Sequence, residues 1–268
     1  MRVFQTLFAT FLLTLLTGCG GAASSLIAAL TPSYPAMTGN WTLAGTSQLT
    51  SGNIAGAWLA GGSLKNVKGA VSGTLHILTS SCFLPTLDVP VTGTVSAGDV
   101  TSDISLVSSS LSGQVITATG TVVNAGSTLA LNATYTVAGG CAGGDKGTLV
   151  GTLVPSITNA YTGAFVSRPS AVSMPVTMAL TQGAADSDGY FAVTGTATFT
   201  GSSCYSTGTV TGGVLVGNTL GVFFATDNGG QLEFSGTVTP GTGAIPGFYV
   251  VSSGACAGDH GTVTLTHP

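Results

Sequence analysis

Four short strings recur in the same order in the two halves of the chain. A duplicated unit of this size constrains the fold more than any other feature, because each copy must build and close its own core. Thr38-Gly39-Asn40-Trp41 returns as Thr162-Gly163-Ala164-Phe165, 124 residues on, and Ser80-Ser81-Cys82 returns as Ser202-Ser203-Cys204, 122 on. Gly113-Gln114-Val115 matches Gly230-Gln231-Leu232, 117 on, and the segment from Cys141 to Thr148 matches that from Cys256 to Thr262, starting 115 on. The falling offset is what a few loop deletions in the second copy produce. The seam falls near 155–160, which divides the folded part into β repeat 1 (37–155) and β repeat 2 (156–268).

Within each copy the apolar period is two. In Gln231 to Thr239, Leu232, Phe234 and Val238 fall on one face and Gln231, Glu233, Ser235, Thr237 and Thr239 on the other, the pattern of a strand with one wet side. Turn chemistry separates the runs, as in Asp227-Asn228-Gly229-Gly230, Asp186-Ser187-Asp188-Gly189, Asn124-Ala125-Gly126-Ser127 and Gly98-Asp99, where Gly and Asn accept positive φ. The second copy reads as strands near 162–167, 173–181, 189–200, 205–211, 213–218, 219–226, 230–239, 245–252 and 259–266, two of them candidates for one bent strand. The fold class is therefore all-β, with tandem antiparallel meanders of about eight strands. Each forms a small barrel or a sandwich, and the barrel is favoured because closure removes exposed edges. Small residues at inward positions, such as Gly236 between Phe234 and Val238, leave the interior either filled or open to one small apolar ligand.

Composition removes several function classes. Charged residues are 5% of the chain against roughly 25% in ordinary globular proteins, so the Lys and Arg needed to neutralise nucleic-acid phosphates are missing. The 44% hydrophobic share likewise excludes a chain too polar to fold.

Residues 1–18 form a secretory leader: one cation, Arg2, then a run from Val3 to Leu16 broken only by Thr and Gln, too short for a stable bilayer span. It closes with Leu16-Thr17-Gly18-Cys19, which resembles the lipobox of bacterial lipoproteins. The resemblance implies cleavage before Cys19, a diacylglyceryl thioether on its sulfur and a further acyl chain on its amine. Two or more acyl chains are enough for stable anchoring. Gly20 rather than Asp follows the cysteine, which in such lipoproteins implies an outer-membrane address in the bacterial cell envelope. Residues 19–36, rich in Gly, Ala and Ser with Pro32 and Pro35, read as a flexible tether reaching roughly 25 Å.

With Cys19 assigned to lipid, Cys82, Cys141, Cys204 and Cys256 remain, two at equivalent places in each copy. In an oxidising compartment an even, symmetric set reads as disulfides. Only Cys82 with Cys141 and Cys204 with Cys256 lets each copy close its own bridge. The opening Gly39-Asn40-Trp41 resembles the Gly-x-Trp start of calycin barrels such as lipocalins and avidins, whose Trp plugs one end. The Arg that packs on that Trp in lipocalins has no counterpart near Lys146 or His260 to Pro268, so the resemblance implies shape and carries over no ligand residue.

Residues able to do chemistry are scattered along the chain. His76 alternates with Leu75 and Ile77 and reads as a solvent-facing or bridging strand residue; His260 follows Cys256 in a turn; His267 sits in the tail. Asp186 with Asp188 and Asp99 with Asp103 are the closest acidic pairs, and the first reads as a hairpin turn rather than a calcium loop. Asp145 and Asp259 occupy equivalent positions before Gly147 and Gly261, which is explained if each accepts hydrogen bonds from its own turn. No nucleophile–base–orienter set, metal spacing or cofactor motif stands out. The sequence thus predicts a non-enzymatic, lipid-anchored envelope protein without a cofactor, with a binding or structural role. The alternatives are a carrier of a small apolar ligand, or an enzyme whose site is assembled from scattered residues.

Overall fold

Alternation of apolar and polar side chains drives every strand. In β14 (Gln231–Thr237) Leu232, Phe234 and Gly236 are buried while Gln231, Glu233, Ser235 and Thr237 are exposed. The computed structural model describes residues 32–83, 88–109, 113–125 and 128–267; the leader, Cys19 and the tether as far as residue 31 lie outside the described residues. Among the described residues, sixteen strands form two closed antiparallel barrels of eight strands each. The barrel, not the sandwich, is realised.

Barrel 1 comprises β1 (Gly39–Ser47), β2 (Ala57–Val67), β3 (Ala70–Thr79), β4 (Asp88–Val95), β5 (Thr101–Ser108), β6 (Val115–Ala125), β7 (Thr128–Ala138) and β8 (Lys146–Val154). It closes where β1 pairs with β8, Trp41 opposite Leu153. Barrel 2 comprises β9 (Asn159–Ser167), β10 (Ser173–Ala185), β11 (Phe191–Phe199), β12 (Thr207–Val216), β13 (Thr219–Thr226), β14, β15 (Ile245–Ser253) and β16 (His260–Thr266). It closes where β16 pairs with β9, Gly261 opposite Ser167. The runs expected at 205–211 and 213–218 are one strand, β12, bent by a bulge between Val210 and Gly212, because an extra residue bends a strand without ending its ladder.

The pairing also corrects the first sequence landmark. Ser47 stands opposite Gly147 and Ser167 opposite Gly261, so β1 and β9 superpose at an offset of 120 rather than 124, and Trp41 matches Tyr161. A shift of four keeps every side chain on its own face, so the alternation of apolar and polar residues does not distinguish the two registers.

Each barrel is filled by its own side chains. Barrel 1 buries Trp41, Leu64, Leu131 and Tyr135, and barrel 2 buries Phe165, Phe224, Phe234 and Tyr249. Trp41 donates its indole N–H to Met37 O at 2.7 Å, and the chain is already tied to barrel 1 at Pro35, whose carbonyl accepts from Asn66 Nδ2 at 2.9 Å. Gly236 leaves no space: a Cβ there would meet Ile245 Cγ2 at 2.7 Å and Phe234 Cζ at 2.8 Å. A lined void of about 40 Å³ remains inside barrel 1, between Leu43, Trp58, Leu75, Ile77 and Leu106. It has room for only a few waters.

The barrels meet within the single compact unit 34–268. Two turns of barrel 2 lie on the outer face of β1–β3. In one, Gly217 (φ 54°) accepts from buried Asn40 Nδ2 at 2.6 Å, and a Cβ on Gly61 would meet Gly217 Cα at 2.5 Å. In the other, His76 Nε2 lies 2.5 Å from Asp188 O and the His76 ring stacks on Tyr190 at 3.8 Å.

The Gly61–Gly217 approach is therefore the tightest test of the junction. Gly61→Leu should cost about 1–3 kcal/mol of unfolding free energy by overpacking. Gly221→Ala, where a Cβ meets nothing within 4 Å, should stay within about 0.5 kcal/mol; urea unfolding of both variants measures the difference.

Candidate functional site

The two disulfides, Cys82–Cys141 and Cys204–Cys256, have Cα separations of 5.9 and 5.8 Å. Each joins the loop after the third strand of its barrel to the loop before the eighth, and so spans the same mouth. The local fold repeats as well. Ser80 Oγ accepts from the amides of Cys82 and Phe83 at 3.1 and 2.9 Å; Ser202 Oγ accepts from those of Cys204 and Tyr205 at 3.1 and 3.3 Å. Phe83 and Tyr205 are thereby turned into equivalent positions at the two mouths.

Beneath each bridge lies a carboxylate that the sequence reading placed correctly and explained incompletely. Asp145 is 1% exposed. Its Oδ1 accepts from Ser47 Oγ at 2.6 Å and from the Lys146 amide at 2.8 Å; its Oδ2 accepts from the Ala55 amide at 2.9 Å and from Tyr135 OH at 3.1 Å. Only the Lys146 bond belongs to the expected turn. The other donors come from β1, the β1–β2 loop and β7, so the carboxylate clamps the mouth across the barrel. Burial pushes its pKa up, but the bonds from Ser47, Ala55, Tyr135 and Lys146 outweigh that and hold it below the ordinary value of 3.8. Burial, chiefly, pushes the Tyr135 phenol up to about 12.

In barrel 2 the clamp is half built. Ser167 Oγ donates to Asp259 Oδ1 at 2.6 Å and Tyr249 OH to Oδ2 at 2.9 Å. Among the described residues no main-chain amide adds to them. The loop that delivers Ala55 in barrel 1 spans 48–56, whereas its counterpart in barrel 2 is only 168–172. A ring has also moved. Gly45 faces Trp58 in barrel 1, and Phe165 faces Met174 in barrel 2. In barrel 1 the Trp58 indole packs edge-on to Phe83 and Tyr135, at 5.7 and 5.5 Å, and roofs the mouth. In barrel 2 the large residue is Phe165, stacked on Tyr249 at 4.5 Å inside the barrel, and no indole covers the end.

The result is a cleft of about 620 Å³ at the mouth of barrel 2, bordered by Ser167, Pro169, Val172, Met174, Ser203, Tyr205, Tyr249, the Cys204–Cys256 bridge and Asp259. That volume lies within the roughly 300–1,000 Å³ of small-molecule sites. Burial, then the Asp259 charge, pushes the Tyr205 phenol up to about 12; burial and the Asp259 bond push Tyr249 up as well. Both phenols therefore stay protonated through the physiological range, and Tyr249 remains a donor.

The other singled-out residues lie elsewhere. His76 is a buried bridge between barrels, its Nδ1 3.1 Å from Asp88 Oδ1 but without hydrogen-bond geometry. Asp186 Oδ1 accepts from the amides of Asp188 and Tyr190 at 3.0 and 2.9 Å, so it caps the expected hairpin turn. Asp99 and Asp103 are exposed on the β4–β5 hairpin. His260 is exposed and faces Gly258 O, and His267 packs on Tyr161. Among the described residues no three His, Cys, Asp or Glu side chains gather as a metal site. The site residues that sequence reading missed are Ser47, Tyr135, Ser167 and Tyr249. Their signal was present: the tyrosines recur at the same offset of 114 as the aspartates. Comparison with protein-family models, curated proteins and solved structures finds no match.

Asp145→Asn places an amide among four donors and should cost about 2–4 kcal/mol; Asp259→Asn should cost less, since Asp259 has two donors and borders the cleft. The pKa of Asp145 is lower in the fold than in the unfolded chain. Its stabilisation is thus complete above pH 3.8 and lost as pH falls through the folded value. Acid unfolding followed by circular dichroism should show a fall in stability below that pH that Asp145→Asn flattens.

Proposed function

We propose that this chain is a lipid-anchored envelope protein, held at a bacterial outer membrane by an acylated Cys19, whose second barrel binds a small ligand at its mouth without chemical turnover. The observation that carries the binding role is the contrast between two copies of one mouth. One is sealed by its own loop and Trp58; the other, with the same Ser–Tyr–Asp clamp and bridge, lies open over about 620 Å³. The clamp itself argues for structure rather than catalysis, since its sealed copy cannot meet a substrate.

The anchor rests on Leu16-Thr17-Gly18-Cys19. Two acyl chains would hold the barrels permanently at a bilayer. The full chain should sediment with membranes and incorporate a clickable palmitate analogue in cells, and Cys19→Ser should abolish both; unchanged fractionation and labelling of the variant would sink the anchor.

A carrier of a small apolar ligand is the second reading. The void of about 40 Å³ inside barrel 1 is too small for a guest, so the cleft of barrel 2, with Met174 and Tyr205 at its border and buried Phe165 beneath, is where an apolar body would enter. Saturable fluorescence of the neutral probe N-phenyl-1-naphthylamine, weakened by Tyr205→Ala, is the expected result if this reading holds.

A further inference from the structure

The sealed mouth of barrel 1 shows what the open mouth of barrel 2 is shaped to receive. The β1–β2 loop presents one residue, Ala55, to the clamp. The Ala55 amide donates to Asp145 Oδ2 at 2.9 Å, and the Ala55 carbonyl accepts from Ser81 Oγ at 3.1 Å. The Ala55 side chain is fully buried, in the same core cluster as Trp58, Phe83 and Tyr135. An Ala-sized residue, followed by a left-handed turn at Gly56 (φ 68°), is thus read at three points: its N–H, its C=O and its methyl.

Barrel 2 keeps both reading groups and lacks the loop. Asp259 stands for Asp145, with Oδ2 bonded to Tyr249 as its counterpart is to Tyr135. Ser203 stands for Ser81, each the residue before the bridging cysteine that follows the third strand, and it borders the cleft. Its hydroxyl lies 3.9 Å from Cys204 Sγ, beyond a strong bond and free to turn to a carbonyl. Tyr205 and Tyr249 replace Phe83 and Tyr135 around the place of the methyl.

We propose that the mouth of barrel 2 binds a peptide bearing a small apolar residue such as alanine, in the place that Ala55 occupies in barrel 1. The bound residue's N–H donates to Asp259 Oδ2, its C=O accepts from Ser203 Oγ, and its side chain lies against Tyr205. A carboxylate accepting from an amide is a charge-assisted bond; one N–H and one C=O fix the main chain while a pocket selects the side chain between them. This proposal rests on the binding role given above and names its ligand.

The test uses the full chain in lipid nanodiscs and a fluorescein-labelled synthetic peptide with the sequence of residues 51–57, read by fluorescence anisotropy. Saturable binding is expected. A peptide N-methylated at the alanine corresponding to Ala55 should bind at least roughly tenfold more weakly, since the N–H to Asp259 is replaced by a methyl that cannot donate and needs space at the carboxylate. Asp259→Asn and Ser203→Ala should each weaken the parent peptide, and replacing 168–172 by the longer 48–56 loop should abolish binding. Melting curves verify that these variants are folded. The N-methyl comparison alters only the ligand and stands even if a variant does not fold. No saturable binding, or equal binding of the two peptides, overturns the proposal. If N-phenyl-1-naphthylamine binds while the peptide does not, the peptide is excluded and the small-ligand role remains; if neither binds, both fall.

Discussion

Closure of each barrel is the constraint from which the rest of the structure follows. When β1 pairs with both β2 and β8, and β9 with both β10 and β16, no ladder is left with an open edge to invite pairing with another chain. Closure also creates a problem at the ends, where the ladders stop and core side chains would meet water. Each barrel meets it at one mouth with the same three devices: a disulfide between two loops, a serine cap that turns an aromatic inward, and an aspartate that collects donors from different strands. The clamp works because a desolvated carboxylate is stable only while its donors stay in place, so it links loop positions to strand register.

Duplication supplied two copies of this mouth, and two changes separated them. One is loop length, 48–56 against 168–172. The other exchanges a small and a large residue across one pair, Gly45 with Trp58 against Phe165 with Met174. Moving the ring from the roof to the interior leaves the core of barrel 2 full and its end uncovered. The carboxylate beneath is the same group in both, but in one barrel it is a buried structural clamp and in the other it borders solvent with acceptor capacity to spare. A protein of this design can divide labour, with one barrel supporting the assembly and the other presenting a site.

Much of the architecture was legible in the sequence because β-structure writes its period locally. Leu232 and Phe234 alternate with Gln231 and Glu233, and Asp227-Asn228-Gly229 marks a turn whether or not its neighbours are known. The bridges were legible for another reason: four cysteines at equivalent places allow few pairings. The clamp was harder to see. Ser47 and Asp145 are bonded although 98 residues apart in the chain, and a lone serine at a strand end carries no local signal. The recurrence of Tyr135 and Asp145 as Tyr249 and Asp259 was the available clue. The recurrence of Ser47 as Ser167 was hidden because the strings around Trp41 and Phe165 pointed to a register wrong by four residues. Gly236 left the outcome open in the sequence. A glycine at an inward position is compatible with a filled or an open interior, and Ile245 and Phe234 fill the space it leaves.

By itself the sequence determined that this chain is all-β, duplicated, and bridged once within each copy, because alternation, turn residues and cysteine placement act over short range or by symmetry. Only the tertiary structure decided that the sheets close as barrels, that His76 and Gly61 serve the junction between them, and that one mouth is sealed while its twin is open. These outcomes depend on which distant side chains share a volume. A ring of eight strands brings together a loop from one end of a repeat and a carboxylate from the other, and no window along the chain contains both.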